Sequence, residues 1–149
     1  MIQVYRLQSG KYPANSGKGA ALFGGRWNRP GVEAIYTASS RSLAALEILA
    51  HYEALPKDFV VTPVRIPSGL TRYRVSRKEL PSGWDSPTGC PEAQLILERH
   101  MDHLVIAVPS AIVPDEWNYI LNPAHPDFPK IQFLKPEPFR FDPRLKPRC

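Results

Sequence analysis

Cysteine is scarce in this 149-residue chain: Cys90 and Cys149 are far apart and form no CxxC pair. That excludes a cysteine-built zinc site and a disulfide-stapled scaffold, and it fits a reducing compartment. Long apolar runs are missing too. None approaches the ~20 residues of a membrane-crossing helix, and Met1-Ile2-Gln3-Val4-Tyr5-Arg6 lacks the basic and apolar segments of a secretion signal. The chain therefore reads as soluble and cytoplasmic, with no membrane partner. The common phosphate-binding signatures fail as well. Gly17-Lys18-Gly19-Ala20-Ala21-Leu22 breaks GxGxxG at its last position, and no Lys-Ser/Thr pair follows Gly24-Gly25. HExxH does not occur, and His100 and His103 have no third ligand nearby, so no metal site is expected.

Proline, by contrast, is abundant. Seventeen prolines spread among apolar stretches predict many short elements joined by stiffened turns, and they exclude an all-helical fold. With 43% hydrophobic and 22% charged residues the chain has the composition of one globular domain. Nineteen Lys and Arg against fourteen Asp and Glu give a net +5, which suits an anionic ligand.

Alternation in Ile2-Gln3-Val4-Tyr5-Arg6-Leu7 predicts a first strand. A loop rich in glycine follows, from Ser9 to Gly25. Ala34–Thr37 is a short strand candidate, and Ser39-Ser40 offer an N-cap for a helix over Arg41–Glu53, stopped by Pro56. Phe59–Ile66 reads as a strand whose Pro63 hints at an edge or bulge. Pro67–Gly89 reads as a polar surface excursion, and Pro91 is placed to open a second helix near Glu92–Met101. The apolar run Leu104–Val108 predicts a strand buried on both faces. Asn118–Leu121 and Ile131–Leu134 are further strands, and the basic tail beyond Pro136 is expected to be ordered only in part. The sum is a single α+β domain with a mixed, largely antiparallel sheet and two main helices.

Glu47 is the most informative residue. At 100° per residue Leu43, Leu46, Glu47 and Ala50 share one sector of the helix, so a carboxylate falls on an apolar stripe. It must be paired there, with Arg41 or His51 as local candidates, or serve a pocket. Arg26 follows two glycines and precedes Trp27, a setting suited either to gripping an anion or to packing on the indole. Taken alone, Tyr36 reads as core, Ser110 as a turn cap and Asn122 as a turn residue before Pro123.

Gly24-Gly25-Arg26-Trp27-Asn28, Ile35-Tyr36-Thr37, Leu46-Glu47, Val108-Pro109-Ser110 and Leu121-Asn122-Pro123-Ala124-His125-Pro126-Asp127-Phe128 together resemble the RES domain family, the toxins of RES–Xre toxin–antitoxin pairs. The resemblance runs from Tyr5-Arg6 to about Phe133. It implies an ADP-ribosyltransferase-like fold acting on NAD+ as substrate, with no prosthetic group. It also implies that Arg26, Tyr36 and Glu47 are catalytic and that Ser110, Asn122, Arg6 and His51 help to bind NAD+. From Trp84 to Gln94 the match is weakest, and no site residue is carried over.

Those residue types suit the chemistry. Breaking the nicotinamide–ribose bond builds positive charge on the ribose, which a fixed carboxylate opposes. An arginine fork fits a pyrophosphate, and a tyrosine ring holds the nicotinamide or ribose face. The expected activity is NAD+ hydrolysis or phosphorolysis, with ADP-ribosylation of a protein as the alternative. A basic RNA-binding or RNA-cleaving toxin and a catalytically dead family member are the remaining readings. The resemblance further implies a cognate antitoxin with a helix-turn-helix DNA-binding region, bound in a hetero-oligomeric complex, while the toxin itself makes no direct DNA contact.

Overall fold

The computed structural model describes residues 1–146; Arg148 and Cys149 lie outside the described residues. In chain order the regular elements are β1 (Ile2–Ser9), α1 (Lys18–Phe23), β2 (Ile35–Ala38), α2 (Arg41–Leu49), β3 (Phe59–Ile66), β4 (Arg72–Arg74), α3 (Ile96–Arg99), β5 (Val105–Pro109), β6 (Trp117–Leu121), β7 (Gln132–Phe133) and β8 (Glu137–Phe139). All eight strands join one sheet in the order β4-β5-β6-β2-β1-β3-β7, with β8 also paired to β3. Only β4–β5 is parallel, so the sheet is mixed and largely antiparallel, as expected. None of the described helices is long and apolar enough to cross a membrane.

Strand alternation gives the sheet two faces. One gathers Val4, Ile35, Val64, Val105 and Leu121 into a core. On the other, Leu7, Ala38 and Val61 carry α2, while Ile106, Val108 and Ile120 carry Trp27 and the residues around α3. This second face holds the candidate site.

Pro63 lies in the middle of β3 rather than at an edge. β3 pairs with β1 along its whole length, and on its other side with β8 at residues 59–61 and with β7 at residues 64–65. The Pro63 carbonyl accepts from Leu134 N on that second side (2.9 Å), so the missing N–H also faces the break between β8 and β7.

Helix α2 starts as predicted, with Ser40 Oγ accepting from Leu43 N at 3.1 Å, but ends at Leu49, four residues early. The chain tightens there, His51 N donating to Ile48 O, so His51 leaves the helix and enters a turn. The buried stripe is also rotated from expectation. Leu43 and Ala44 are buried whereas Leu46 is 42% exposed and Ala50 is exposed. A turn of 100° per residue places Glu47 between Leu43 and Ala44, on the arc facing the sheet.

Two other expectations are corrected. The second helix is only a 3-10 turn at Ala93–Leu95 followed by the four-residue α3. The 67–89 excursion contributes an edge strand, β4, then a 3-10 turn closed by a Ser76–Glu79 capping box. The segment past Pro136 forms β8 and sends Phe141 into the core beside Leu43 and Phe59. Arg41, a candidate partner for Glu47, instead reaches β8, pairing with Glu137 at 3.1 Å while its guanidinium lies 4.5 Å from the Tyr5 ring centroid.

Candidate active site

Glu47 points from α2 to the ends of β5 and β6. Ser110 Oγ donates to Glu47 Oε2 at 2.8 Å, and Asn118 Nδ2 donates to the same oxygen. The Ser110 oxygen also accepts from Ile112 N and Val113 N, each at 3.0 Å, which uses its acceptor capacity and aims its proton at Glu47. Glu47 Oε1 accepts no hydrogen bond among the described residues and is not sealed from solvent. The carboxylate is held by one oxygen and presents the other.

Tyr36 sits on the same sheet face. It pairs with Ile120 across β2–β6, while Ala38 pairs with Asn118. Its ring is therefore a diagonal neighbour of Asn118, roughly 7–8 Å away between Cβ atoms. The Tyr36 hydroxyl donates to Asn28 Oδ1 (2.6 Å) and accepts from Trp27 N (3.1 Å). Burial raises its pKa far above the usual 10.0, outweighing the opposite pull of its Trp27 and Asn28 contacts and of the Arg26 charge. The phenol stays neutral and serves as a buckle for the glycine loop. Asn28, fully buried, completes the buckle by donating through Nδ2 to Ala20 O, Arg29 O and Val32 O. Gly25 is glycine because a Cβ there would stand 2.5 Å from the Tyr36 hydroxyl and 2.8 Å from Asn28 Oδ1.

Arg26 follows in the same loop. Its Nη1 donates to Trp84 O (2.7 Å) and Ser86 O (3.0 Å), tying the loop to the 81–90 segment. Trp84 stacks on Trp27 with centroids 5.7 Å apart. Nε and Nη2 of Arg26 make no hydrogen bond among the described residues and are not buried, so two donors remain for an anion. Gly24, Gly25, Arg26, His51, Cys90 and Gln94 line a cleft of about 250 Å³ together with residues 87–89.

A family model described as the RES domain matches residues 3–142. The chain belongs to the RES domain family. It is 41% identical to "Toxin Res" of Photorhabdus laumondii, the match covering 95% of this chain and 96% of that protein. It is 38% identical to "Prs ADP-ribosylating toxin" of Sphingobium sp. (strain YBL2), covering 87% and 85%. Among solved structures it is similar in fold to a chain of the M. tuberculosis MbcT–MbcA toxin–antitoxin complex, with a TM-score of 0.68 and 19% identity over 93% of this chain and 84% of that one.

Within this RES domain Glu47 and Ser110 are in direct contact and Tyr36 shares their sheet face, while Arg26 and His51 line the cleft. Arg6 and Asn122 do not join them. Arg6 lies on the opposite face by strand alternation, where Nη1 donates to Tyr36 O (3.1 Å) and Nη2 to Ser16 O (3.3 Å). The β1–β2 ladder has a single bridge, Tyr5↔Ala38, and the Arg6 guanidinium fills the gap beyond it. Burial lowers its pKa to about 10. Asn122 is a turn residue: Nδ2 donates to Met101 O (2.9 Å) and His103 O (3.4 Å), and Oδ1 accepts from Ala124 N (3.0 Å). It stands four strand positions from Asn118, about 13 Å away.

Sequence reasoning missed Asn118, the Trp84 and Ser86 carbonyls, and Gln94, whose Nε2 donates to Gly25 O at 2.9 Å. For Asn118 a signal exists, a polar residue inside an otherwise inward apolar position of Trp117–Leu121. Backbone carbonyls leave none. Among the described residues no three His, Cys, Asp or Glu side chains cluster as a metal site.

Proposed function

We propose that this RES domain is the toxin of a toxin–antitoxin pair and that it breaks the nicotinamide–ribose bond of NAD+. The observation that carries the reading is the half-pinned Glu47, one oxygen held by Ser110 and Asn118 and the other left free, in a chain whose cleft is lined by Arg26 and by His51, four residues beyond Glu47. As the bond lengthens, its electron pair leaves with nicotinamide and positive charge grows at the ribose carbon. Glu47 Oε1 opposes that charge at short range, with the low-dielectric helix flank strengthening the attraction. The free donors of Arg26 grip the pyrophosphate, and the Tyr36 ring orients the sugar and base. Water then attacks the ribose carbon and loses a proton, giving ADP-ribose; phosphate in its place gives a phosphorylated product.

A second reading, transfer of ADP-ribose to a protein, uses the same residues with a different nucleophile. It is supported by the name of the Sphingobium relative, an ADP-ribosylating toxin. RNA stacking has no such support, since the tail aromatics Phe139 and Phe141 pack against each other and against Phe59. The toxin is held inactive by an antitoxin, whose acidic segment the +5 charge and the open cleft would attract.

Chromatography of NAD+ after incubation with the purified protein, with and without phosphate and a protein extract, separates the three acceptors. Nicotinamide release that disappears in Glu47→Ala is the expected result. Unchanged NAD+ in every arm, or a fully active Glu47→Ala, overturns the reading.

A further inference from the structure

We infer that Asn118 is a positioning residue which, together with Ser110, fixes the direction in which the Glu47 carboxylate faces the substrate. The inference rests on the reading of Glu47 given above and adds a residue that the family resemblance did not supply.

Three observations carry it. Asn118 and Ser110 deliver their donors to the same oxygen, Oε2, so the carboxylate cannot rotate without breaking a charge-assisted hydrogen bond. Both donors stand on rigid framework. Asn118 belongs to β6, flanked by β5 and β2, and the fully buried Ser110 is tied to Glu116, Ile112 and Val113. The third observation concerns the amide itself. A carboxylate only accepts, so the NH2 group of Asn118 must face it and the Oδ1 must turn away. That Oδ1 is buried and has no hydrogen-bond partner.

An orphaned buried acceptor is unfavourable. The neighbours of Asn118 on the same face, Val108 across the ladder and Ile120 two positions on, are apolar and fully buried. A leucine at position 118 would continue that surface without an unsatisfied group. Stability therefore gives no reason for an asparagine here, and its contact with Glu47 does.

The test uses the full chain with NAD+ as substrate and compares Asn118→Ala, Asn118→Leu, Glu47→Asp and the double variant Glu47→Asp/Asn118→Ala. Loss of the clamp misdirects the carboxylate without touching the pyrophosphate grip. In Asn118→Ala, kcat should fall by about 10- to 100-fold while KM stays within about twofold. The thermal midpoint of Asn118→Leu should be no lower than that of the parent. Glu47→Asp already withdraws the carboxylate by one methylene from both donors, so adding Asn118→Ala should lower kcat by less than about twofold. Independent, multiplying losses in the double variant overturn the inference, as does an Asn118→Ala enzyme with kcat within about twofold of the parent. An Asn118→Leu chain that fails to fold overturns it too, by making Asn118 structural. A parent that leaves NAD+ intact, or a Glu47→Gln variant as active as the parent, strikes the functional reading itself; a dispensable Asn118 beside an essential Glu47 strikes only this inference.

Discussion

The acid and the base of this site are held in different ways. Glu47 is gripped by two side-chain donors, Ser110 and Asn118, projected from β5 and β6. Arg26 is gripped by two backbone carbonyls, Trp84 and Ser86, in a segment with no regular structure. In each case one half of the charged group is fixed and the other half is presented. The difference is in what can compete. A substrate hydroxyl that approaches Glu47 meets an oxygen that the clamp does not use. An anion that approaches Arg26 meets the two donors that the carbonyls leave free, on a group tethered to a turn, which yields more easily than a strand. The carboxylate side is a rigid wall, and the guanidinium side is a wall that can be rearranged.

That contrast fails if substitutions on both sides act alike. Glu47→Gln should produce the largest effect, lowering kcat for nicotinamide release by about 100- to 1,000-fold with little change in KM. Removing the Tyr36 hydroxyl should come next. Tyr36→Phe leaves Asn28 Oδ1 and Trp27 N without their partner, so thermal or urea unfolding should show a loss of about 2 kcal/mol. KM should also rise as the glycine loop loosens. Arg26→Lys keeps the charge but loses the planar fork; KM for NAD+ should rise about tenfold with kcat nearly unchanged. If instead kcat falls and KM holds, the guanidinium side is as rigid as the carboxylate side.

The smallest effect should lie away from the cleft. Burial alone would raise the Glu79 carboxyl, but hydrogen bonds from Tyr73, Ser76 and His100 outweigh it and hold the pKa below the usual 4.5. An acid whose folded pKa is depressed stabilises the native state above its unfolded value and loses that contribution as pH falls through the folded one. Acid titration of unfolding should therefore show the parent slightly more stable than Glu79→Gln above pH 4.5, with the gap closing at lower pH. NAD+ cleavage should not change.

The carboxylate side was more readable in the amino-acid sequence than the guanidinium side, for a physical reason. Helix α2 announces itself through the Ser40 cap and the apolar spacing around Glu47, and strands β5 and β6 through apolar runs. Side chains that do chemistry on such elements stand out as polar residues in apolar patterns. Asn118 had that mark, yet its meaning required knowing which way β6 faces. Around Arg26 the partners are carbonyl groups, which every residue carries, so the 84–86 contact could not be read in advance. The 67–89 segment looked like a surface loop for the same reason. Asn122 lies where local reasoning puts it, in a turn, with its amide bonded to Met101, His103 and Ala124.

The close approach of Gly25 to the Tyr36 hydroxyl has a practical corollary for anyone who wants a silent version of the protein with its shape intact. Changing either member of that pair reshapes the loop, so a variant made there reports on architecture as much as on reaction. Replacing the Glu47 carboxylate by its amide isostere keeps an oxygen for Ser110 and Asn118 to meet. Glu47→Gln is therefore the variant to compare with the parent when the proposed reaction is to be silenced and the fold kept.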